Sequence, residues 1–217
     1  ALRMPTYTDL YISNAVQQGD ASLSPEKNSA FKIGSRYRHT GFSAVLSGFY
    51  THGKNMIDWV QTTETELTDS KYHVMNIGKL DNMGFNVDAE IYMNELLPRC
   101  FVTNIRLGYA YINQSHETET DILKSLYALE YLRHKAVFGL DHKIWSKLSA
   151  SWSVRWQQRM NGYHPYTKVD CKVMWNDRKY SVYVKADNIT CHRYYDLSAV
   201  KQPGLWVMAG VSVNLGW

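Results

Sequence analysis

The sequence predicts an all-β fold, a transmembrane antiparallel β-barrel with lipid outside and water inside. Three observations predict it. Apolar and polar residues alternate over segments about twice the ~5–6 residues usual in soluble sheets, and close to the ~9–11 needed to cross a bilayer. The connections alternate between long and short, as in a membrane barrel with long loops on one side and tight turns on the other. Aromatic residues, among them 16 Tyr and 7 Trp, gather at strand ends with aliphatic residues between them, as two membrane interfaces require.

The elements follow in order. Residues 1–12 read as a short strand running into a turn at Pro5, and 13–24 as a polar loop. Residues 27–38 alternate, with Phe31, Ile33 and Tyr37 against Lys32, Gly34, Arg36 and Arg38. After a turn at 39–41, residues 42–59 read as one long strand and 61–71 as an acidic loop. A second long strand is predicted over 72–93, with Phe85, Val87, Ala89 and Ile91 on one face and Asn86, Asp88 and Glu90 on the other. A turn at Pro98 leads to a strand over 102–113, then an acidic loop over 114–124. Residues 125–132 fit a helical turn or a strand entry. Strands at 134–144 and 148–159 follow, the latter with Leu148, Ala150, Trp152, Val154 and Trp156 against Ser149, Ser151, Ser153, Arg155, Gln157 and Arg159. After Asn161-Gly162, strands are read at 169–175 and 180–186, with a turn at 176–178. A loop over 189–204 precedes the last strand, 207–217, which closes on Trp217. This makes about ten strands.

One belt is expected at the short-turn end from Tyr37, Phe42, Trp145, Trp175, Tyr180 and Trp217. A second is expected at the long-loop end from Tyr72, Tyr111, Trp156, Tyr163 and Tyr166. The face opposite the apolar one carries Arg36, Arg38, Asp88, Glu90, Arg106, Arg155, Arg159, Asp170, Lys172 and Lys185. These would be costly in a dry interior, so they call for a watered lumen or a polar plug.

Composition narrows the classes. At 217 residues the chain holds one large all-β domain or two small ones. No run of 18 apolar residues exists, so no membrane helix is predicted. A negative mean hydropathy fits a barrel, because only alternate strand residues face lipid. The net charge of +4 is dispersed, which predicts no nucleic-acid partner. Cys100, Cys171 and Cys191 are odd in number and form no C-x-x-C, so neither a disulfide framework nor a metal site is expected. No signal peptide precedes Ala1, so a leader removed or a piece of a longer chain is expected.

No catalytic constellation emerges. Gly210-Val211-Ser212-Val213-Asn214 misses a G-x-S-x-G elbow, and His116-Glu117-Thr118-Glu119-Thr120 misses H-E-x-x-H. The histidines are scattered, with His52, His73, His116, His164 and His192 in or near loops. No enzyme is predicted, and no cofactor. The competing reading is a soluble all-β module that binds a ligand or carbohydrate.

Three motif pairs resemble those of TonB-dependent outer-membrane receptors. Leu2-Arg3-Met4-Pro5 with Leu23-Ser24-Pro25-Glu26-Lys27 is similar to the family's F-R-x-P … N-P-x-L-x-P-E-K. Asn76-Ile77-Gly78-Lys79 with Gly84-Phe85-Asn86-Val87-Asp88 resembles N-x-G-K … G-x-E. Asp187-Asn188-Ile189 with Gln202-Pro203-Gly204 and Gly210-Val211 resembles the terminal N-L-F … P-G-R pattern. Leu2, Ser24, Ile189-Thr190 and Leu205 depart from it.

The resemblance implies about the last ten strands of a 22-stranded barrel. Residues 1–217 would be the C-terminal portion of that barrel, with the plug domain absent. It implies the outer membrane of a Gram-negative bacterium, and as partners the lipid bilayer, the plug and remaining strands, TonB and a small-molecule ligand. Moderate loop lengths favour cobalamin or a ferric chelate. Haem receptors of the family carry a His between the two N-terminal motifs, and residues 6–22 contain none. Ligand contacts are expected from Tyr7, Asp9, Tyr11, Trp59, Tyr163, Tyr166, Tyr194, Tyr195 and Trp206, because aromatic rings bind sugars and chelate rings at low entropic cost. Membrane-girdle or loop packing is the plainer alternative for each ring. Arg106, Arg155, Arg159 and Asp170 are expected to face the lumen or plug.

Overall fold

The computed structural model describes residues 1–117, 121–126, 131–160, 164–195 and 200–213. Among them, ten strands form one antiparallel sheet whose neighbours follow chain order. They are β1 (Leu2–Arg3), β3 (Glu26–His39), β4 (Phe42–Lys54), β7 (Lys79–Tyr92), β8 (Val102–Glu117), β10 (Leu132–Lys143), β11 (Leu148–Arg159), β12 (Tyr166–Asn176), β13 (Tyr180–Asp187) and β14 (Trp206–Val213). A second sheet holds β2 (Gln17–Gln18), β5 (Ile57–Thr62), β6 (Tyr72–Asn76) and β9 (Ile122–Ser125), in the order β2-β6-β5-β9.

The pairing registers give the large sheet two opposite faces. His39, Phe42, Ile91, Ile105, Leu140, Trp152 and Cys171 are successive cross-strand neighbours, as are Tyr37, Ala44, Ala89, Leu107, Phe138, Val154 and Val169. One residue along each strand, the row reads Arg38, Ser43, Glu90, Arg106, Gly139, Ser153 and Asp170. A period of two across these seven strands thus sorts apolar from charged residues. The apolar face is bare: Phe31, Ile33 and Val211 are 65%, 67% and 68% exposed. A soluble sandwich would cover that face with a second sheet. The 12 residues of β11 span about 40 Å at ~3.3 Å each, or about 28 Å when tilted by ~45°, which matches a hydrocarbon layer of ~30 Å.

The small sheet corrects the boundaries drawn from periodicity. Residues 42–59 and 72–93 are not two uninterrupted strands. The β4–β7 ladder runs to Lys54 opposite Lys79, and the β5–β6 ladder resumes with Ile57 opposite Asn76. Between them the hairpin bends at Asn55 (φ 54°) and Gly78 (φ 85°), left-handed conformations that Gly adopts freely and Asn tolerates. The bent top of the hairpin then recruits β2 from the preceding loop and β9 from the following one. All six residues of β5 are buried. Ile57, Trp59 and Val74 form its core, closed by Ile12, Leu23, Tyr72 and Leu126.

Other segments differ as well. Residues 1–12 contain helix α1 (Tyr7–Tyr11), because Thr6 and Asp9 form a reciprocal capping box. The loop at 61–71 contains helix α2 (Thr63–Thr68), capped by Thr62 and Thr65. The turn before β8 contains helix α3 (Met93–Leu96). The 114–124 loop is shortened by β8, which reaches Glu117, and by β9. In the 125–132 stretch, Ser125 ends β9 and Leu132 begins β10. The turn at Asn161-Gly162 lies outside the described residues.

The aromatic belt at the long-loop end also differs in membership. Tyr72 packs on the small sheet's core, and Tyr166 lies opposite Gln157 on the polar face. Tyr111 and Trp156 do stand on the bare face, in a row of rings with Phe85 and His134: Phe85 and Tyr111 (5.8 Å), Tyr111 and His134 (5.0 Å), His134 and Trp156 (6.1 Å). Tyr109 joins through a 2.8 Å hydrogen bond between its hydroxyl and His134 Nδ1. At the short-turn end Tyr37 meets Phe42 at 6.3 Å, and Trp145 stands exposed. Trp217 and Tyr163 lie outside the described residues.

Candidate functional site

The site is built at the long-loop end, where the polar face meets the small sheet. Glu26 at the start of β3 is its first fixed point. Its Oε2 accepts from Arg3 Nη1 at 2.9 Å and from the Ile57 backbone N–H at 3.3 Å, which ties the large sheet to the first residue of β5. Arg3 also reaches Asp9 Oδ2 at 3.4 Å. Asp9 is buried and accepts from the Thr6 N–H at 2.9 Å, so its carboxylate serves both the α1 cap and an ion pair. Both acids are shielded, which strengthens these charge-assisted bonds relative to a surface pair. Arg3, Asp9, Glu26, Met56, Ile57, Trp59 and Leu80 line a cavity of about 480 Å³. Asp9 and Trp59 are therefore brought to one wall system, although Trp59 is only 6% exposed and its ring belongs to the core.

A second clamp lies beside the first. Asn76 Nδ2 donates to the carbonyls of Ser24 (3.0 Å) and Asn55 (2.8 Å), and its Oδ1 accepts from the Ser24 N–H (2.9 Å). Asn76 thus holds the loop before β3 against the bend of the β4–β7 hairpin. Nearby, Asp69 at the end of α2 is held below the usual carboxylate range, first by the Lys71 backbone N–H and then by His73, whose Nε2 lies 3.0 Å away.

The remaining aromatics form two separate groups. Tyr7 and Tyr11, one helical turn apart on α1, have ring centroids 5.0 Å apart and stand in solvent. Tyr166 stacks on Tyr194 at 4.3 Å, with His192 beyond at 6.4 Å, so the segment after β13 folds back across the upper polar face. Gln157 Nε2 donates to the Tyr166 hydroxyl. Tyr195 makes an isolated bridge with Lys201, and Trp206 opens β14 opposite Asp187, exposed.

Asn188 is the hub of that corner and is almost fully buried. Its N–H donates to Asp170 Oδ1 (2.8 Å), its Nδ2 to the carbonyls of His192 (2.9 Å) and Pro203 (3.2 Å), and its Oδ1 accepts from the His192 N–H (3.1 Å). Its φ of 53° is left-handed, which Asn tolerates. Asp170 is thereby occupied by a loop anchor as well as by Lys168 Nζ at 3.3 Å. Neither Asn76 nor Asn188 was a candidate from the sequence. Their signal was present: Asn76 sits in one motif carrying the family resemblance and binds Ser24 of another, and Asn188 binds Pro203 of the motif paired with its own.

Further down the polar face, a cavity of about 560 Å³ is lined by Asp88, Glu90, Arg106, Lys135 and Ser153 among others. Arg106 pairs with Asp141 at 3.1 Å, and Glu90 accepts from Asn104 Nδ2 and Tyr92 Oη, both at 2.7 Å. Arg155 lies opposite Val137 and Lys168, on the same face as Arg159. Among the described residues no cluster of His, Cys, Asp and Glu forms a metal site, and Cys100, Cys171 and Cys191 are free thiols.

This geometry has counterparts among solved proteins. The copper transporter OprC superposes with a TM-score of 0.73 at 17% identity, over 97% of this chain and 35% of that one. The FrpB iron transporter from Neisseria meningitidis (F3-3 variant) gives 0.64 at 16%, over 90% and 31%. The siderophore receptor PirA from Pseudomonas aeruginosa gives 0.64 at 15%, over 98% and 35%. The chain spans about a third of the length of these structures. The family model described as TonB dependent receptor-like, beta-barrel matches residues 1–189. A two-faced sheet of long antiparallel strands, rimmed by loop structure and matched along most of its length, belongs to the TonB-dependent receptor β-barrel family.

Proposed function

We propose that this chain is the C-terminal part of the barrel wall of a TonB-dependent receptor in the outer membrane of a Gram-negative bacterium, taking up a scarce ligand. The observation that carries this reading is the two-faced sheet: an apolar side exposed along its length and an opposite side crowded with charge. Lipid on the first and water or a polar plug on the second satisfy both. In the whole protein, further strands would close the barrel, an N-terminal plug would fill it, and TonB would energise release.

A ferric chelate is the favoured ligand, with cobalamin as the other. Support comes from the rim aromatics, which suit flat chelate rings, and from the relatives, which are named for copper, iron or siderophore transport. The Tyr166–Tyr194 stack, the Tyr7–Tyr11 pair, Tyr195 and Trp206 are the proposed contacts, and Tyr163 remains a candidate from the sequence alone. Arg106, Arg155 and Arg159 face the plug. Binding of ferric siderophores and of cobalamin to the whole receptor, in outer-membrane vesicles, tests this. Tyr194→Ala should weaken ferric-chelate binding about tenfold, in line with the loss of an aromatic anchor at the binding surface. Equal binding by both forms would remove these rings from the ligand site. Arg155→Ala with Arg159→Ala should weaken transport without preventing insertion, and loss of heat-modifiable migration would sink the lumen assignment.

A further inference from the structure

On three adjacent strands the bare apolar face ends in lysines at the long-loop rim. In the registers, Lys27 of β3, Lys54 of β4 and Lys79 of β7 are directly opposed on three adjacent strands, and Glu117 of β8 completes the row. Parity along each strand puts this row on the same side as Phe31, Tyr50 and Met83, four residues closer to the short turns. Four residues of strand are about 13 Å, so the ammonium groups stand just beyond the apolar belt. At the opposite rim the last outward row paired across the same strands and β8 is His39, Phe42, Ile91 and Ile105, with no Lys or Arg.

Directly opposed like charges repel across an antiparallel pair, so three lysines in a row need compensation. Lys79 has it, with Glu117 Oε2 at 2.9 Å from its Nζ. Asp81, in the next row, is engaged by His52 Nδ1 (2.6 Å) and by the Tyr50 hydroxyl (2.8 Å). Among the described residues, Lys27 and Lys54 have no carboxylate at ion-pair distance. Both are exposed and point to the lipid side.

We infer that Lys27 and Lys54, with Lys79 beside them, bind the phosphate of a lipid headgroup at the long-loop rim. The charge row and the apolar belt below match the two ends of one lipid: phosphate above, acyl chains against Phe31, Ile33 and Met83. An ammonium on a flexible stem can reach such a phosphate and keep its methylenes on the apolar surface. This inference rests on the proposed membrane orientation.

The test uses the whole receptor in detergent, titrated with dimyristoyl phosphatidic acid or with the uncharged-overall phosphatidylcholine of the same chains, and read by native mass spectrometry. Wild type should retain phosphatidic acid preferentially. Lys27→Gln with Lys54→Gln should lower that retention by about 25-fold, at about fivefold per lysine near an anionic surface, and leave phosphatidylcholine unchanged. Inorganic phosphate should not displace the lipid, because it lacks the chains; displacement would mean a free-anion site and overturn the lipid assignment. Equal retention by wild type and double variant would also overturn it. Both lysines are exposed, so heat-modifiable migration should be retained. Failure of the wild-type receptor to fractionate with membranes would sink the membrane reading itself, and this inference with it.

Discussion

The two sheets of this chain use the same residue types in opposite ways. In the small sheet, Val60 is fully buried and Trp59 nearly so, with loop residues closing over them. In the large sheet, valines and phenylalanines stand bare along one face, and charged residues line the opposite one. The first sheet is organised against water, as in any soluble domain. The second is organised against lipid, where apolar side chains gain nothing by turning inward. Burial therefore identifies the solvent and not only the core. A residue's exposure in this fold has no meaning until one knows which side of which sheet it occupies.

The largest expected effect breaks the water-organised half alone. Trp59→Ala should cost the small sheet about 3–5 kcal/mol, more than so small a unit can spare. Limited proteolysis should then cut within residues 57–76, while the barrel of the whole receptor keeps its heat-modifiable migration. Loss of both together would show that the two regions are one cooperative unit.

Next in size is the lipid-organised half. Leu46→Arg places a cation on the apolar face between Ser35 and Val87, and should cost about 2–4 kcal/mol in equilibrium folding into vesicles. Val45→Arg, one residue away on the polar face, should cost well under half as much. Equal costs would erase the distinction between the faces.

Asp58→Ala sharpens the comparison from the polar side. Asp58 is fully buried, accepts from the Trp59 N–H at 2.7 Å and is hydrogen-bonded by the Ser125 hydroxyl. Removing it should cost about 1–3 kcal/mol, because the Ser125 hydroxyl loses a buried partner. Hydrogen exchange should rise in β9 and not in β11. The smallest effect belongs to Arg106→Ala on the watered face. Its pair with Asp141 is half-exposed and should contribute no more than about 1 kcal/mol to folding, as for other solvated ion pairs. Vesicle folding should be nearly unchanged.

The ten-stranded sheet was legible because its signal repeats. Period-two alternation over strands such as 27–38, 102–113 and 148–159 needs no tertiary information, since each strand carries both faces in its own sequence. The small sheet was not legible for the converse reason. Ile57, Trp59, Val74 and Ile77 prolong the apolar runs of their neighbours, so alternation passes through the bend at Asn55 and Gly78 unmarked. The short helix at Tyr7–Tyr11 was missed although Thr6 and Asp9 form a readable capping pair, because Pro5 and the tyrosines favoured an extended reading. Trp59 and Tyr166 look alike in sequence as aromatic residues near loops. Only the fold distinguishes a ring within the small core from one stacked on Tyr194. The paired motifs were recognised as patterns, but contacts across 52 residues, such as Asn76 with Ser24, are invisible until the chain is folded.

The small sheet joins segments from three successive loops, with strands at 17–18, 57–62 with 72–76, and 122–125. A surface assembled in this way is discontinuous as an antigen. Antibodies raised against linear peptides from any one loop would meet only a third of it, and those raised against the folded receptor would lose their footing when a single strand is displaced. Sequence drift in one loop is likewise constrained by the two others to which it is hydrogen-bonded, so the three should vary together.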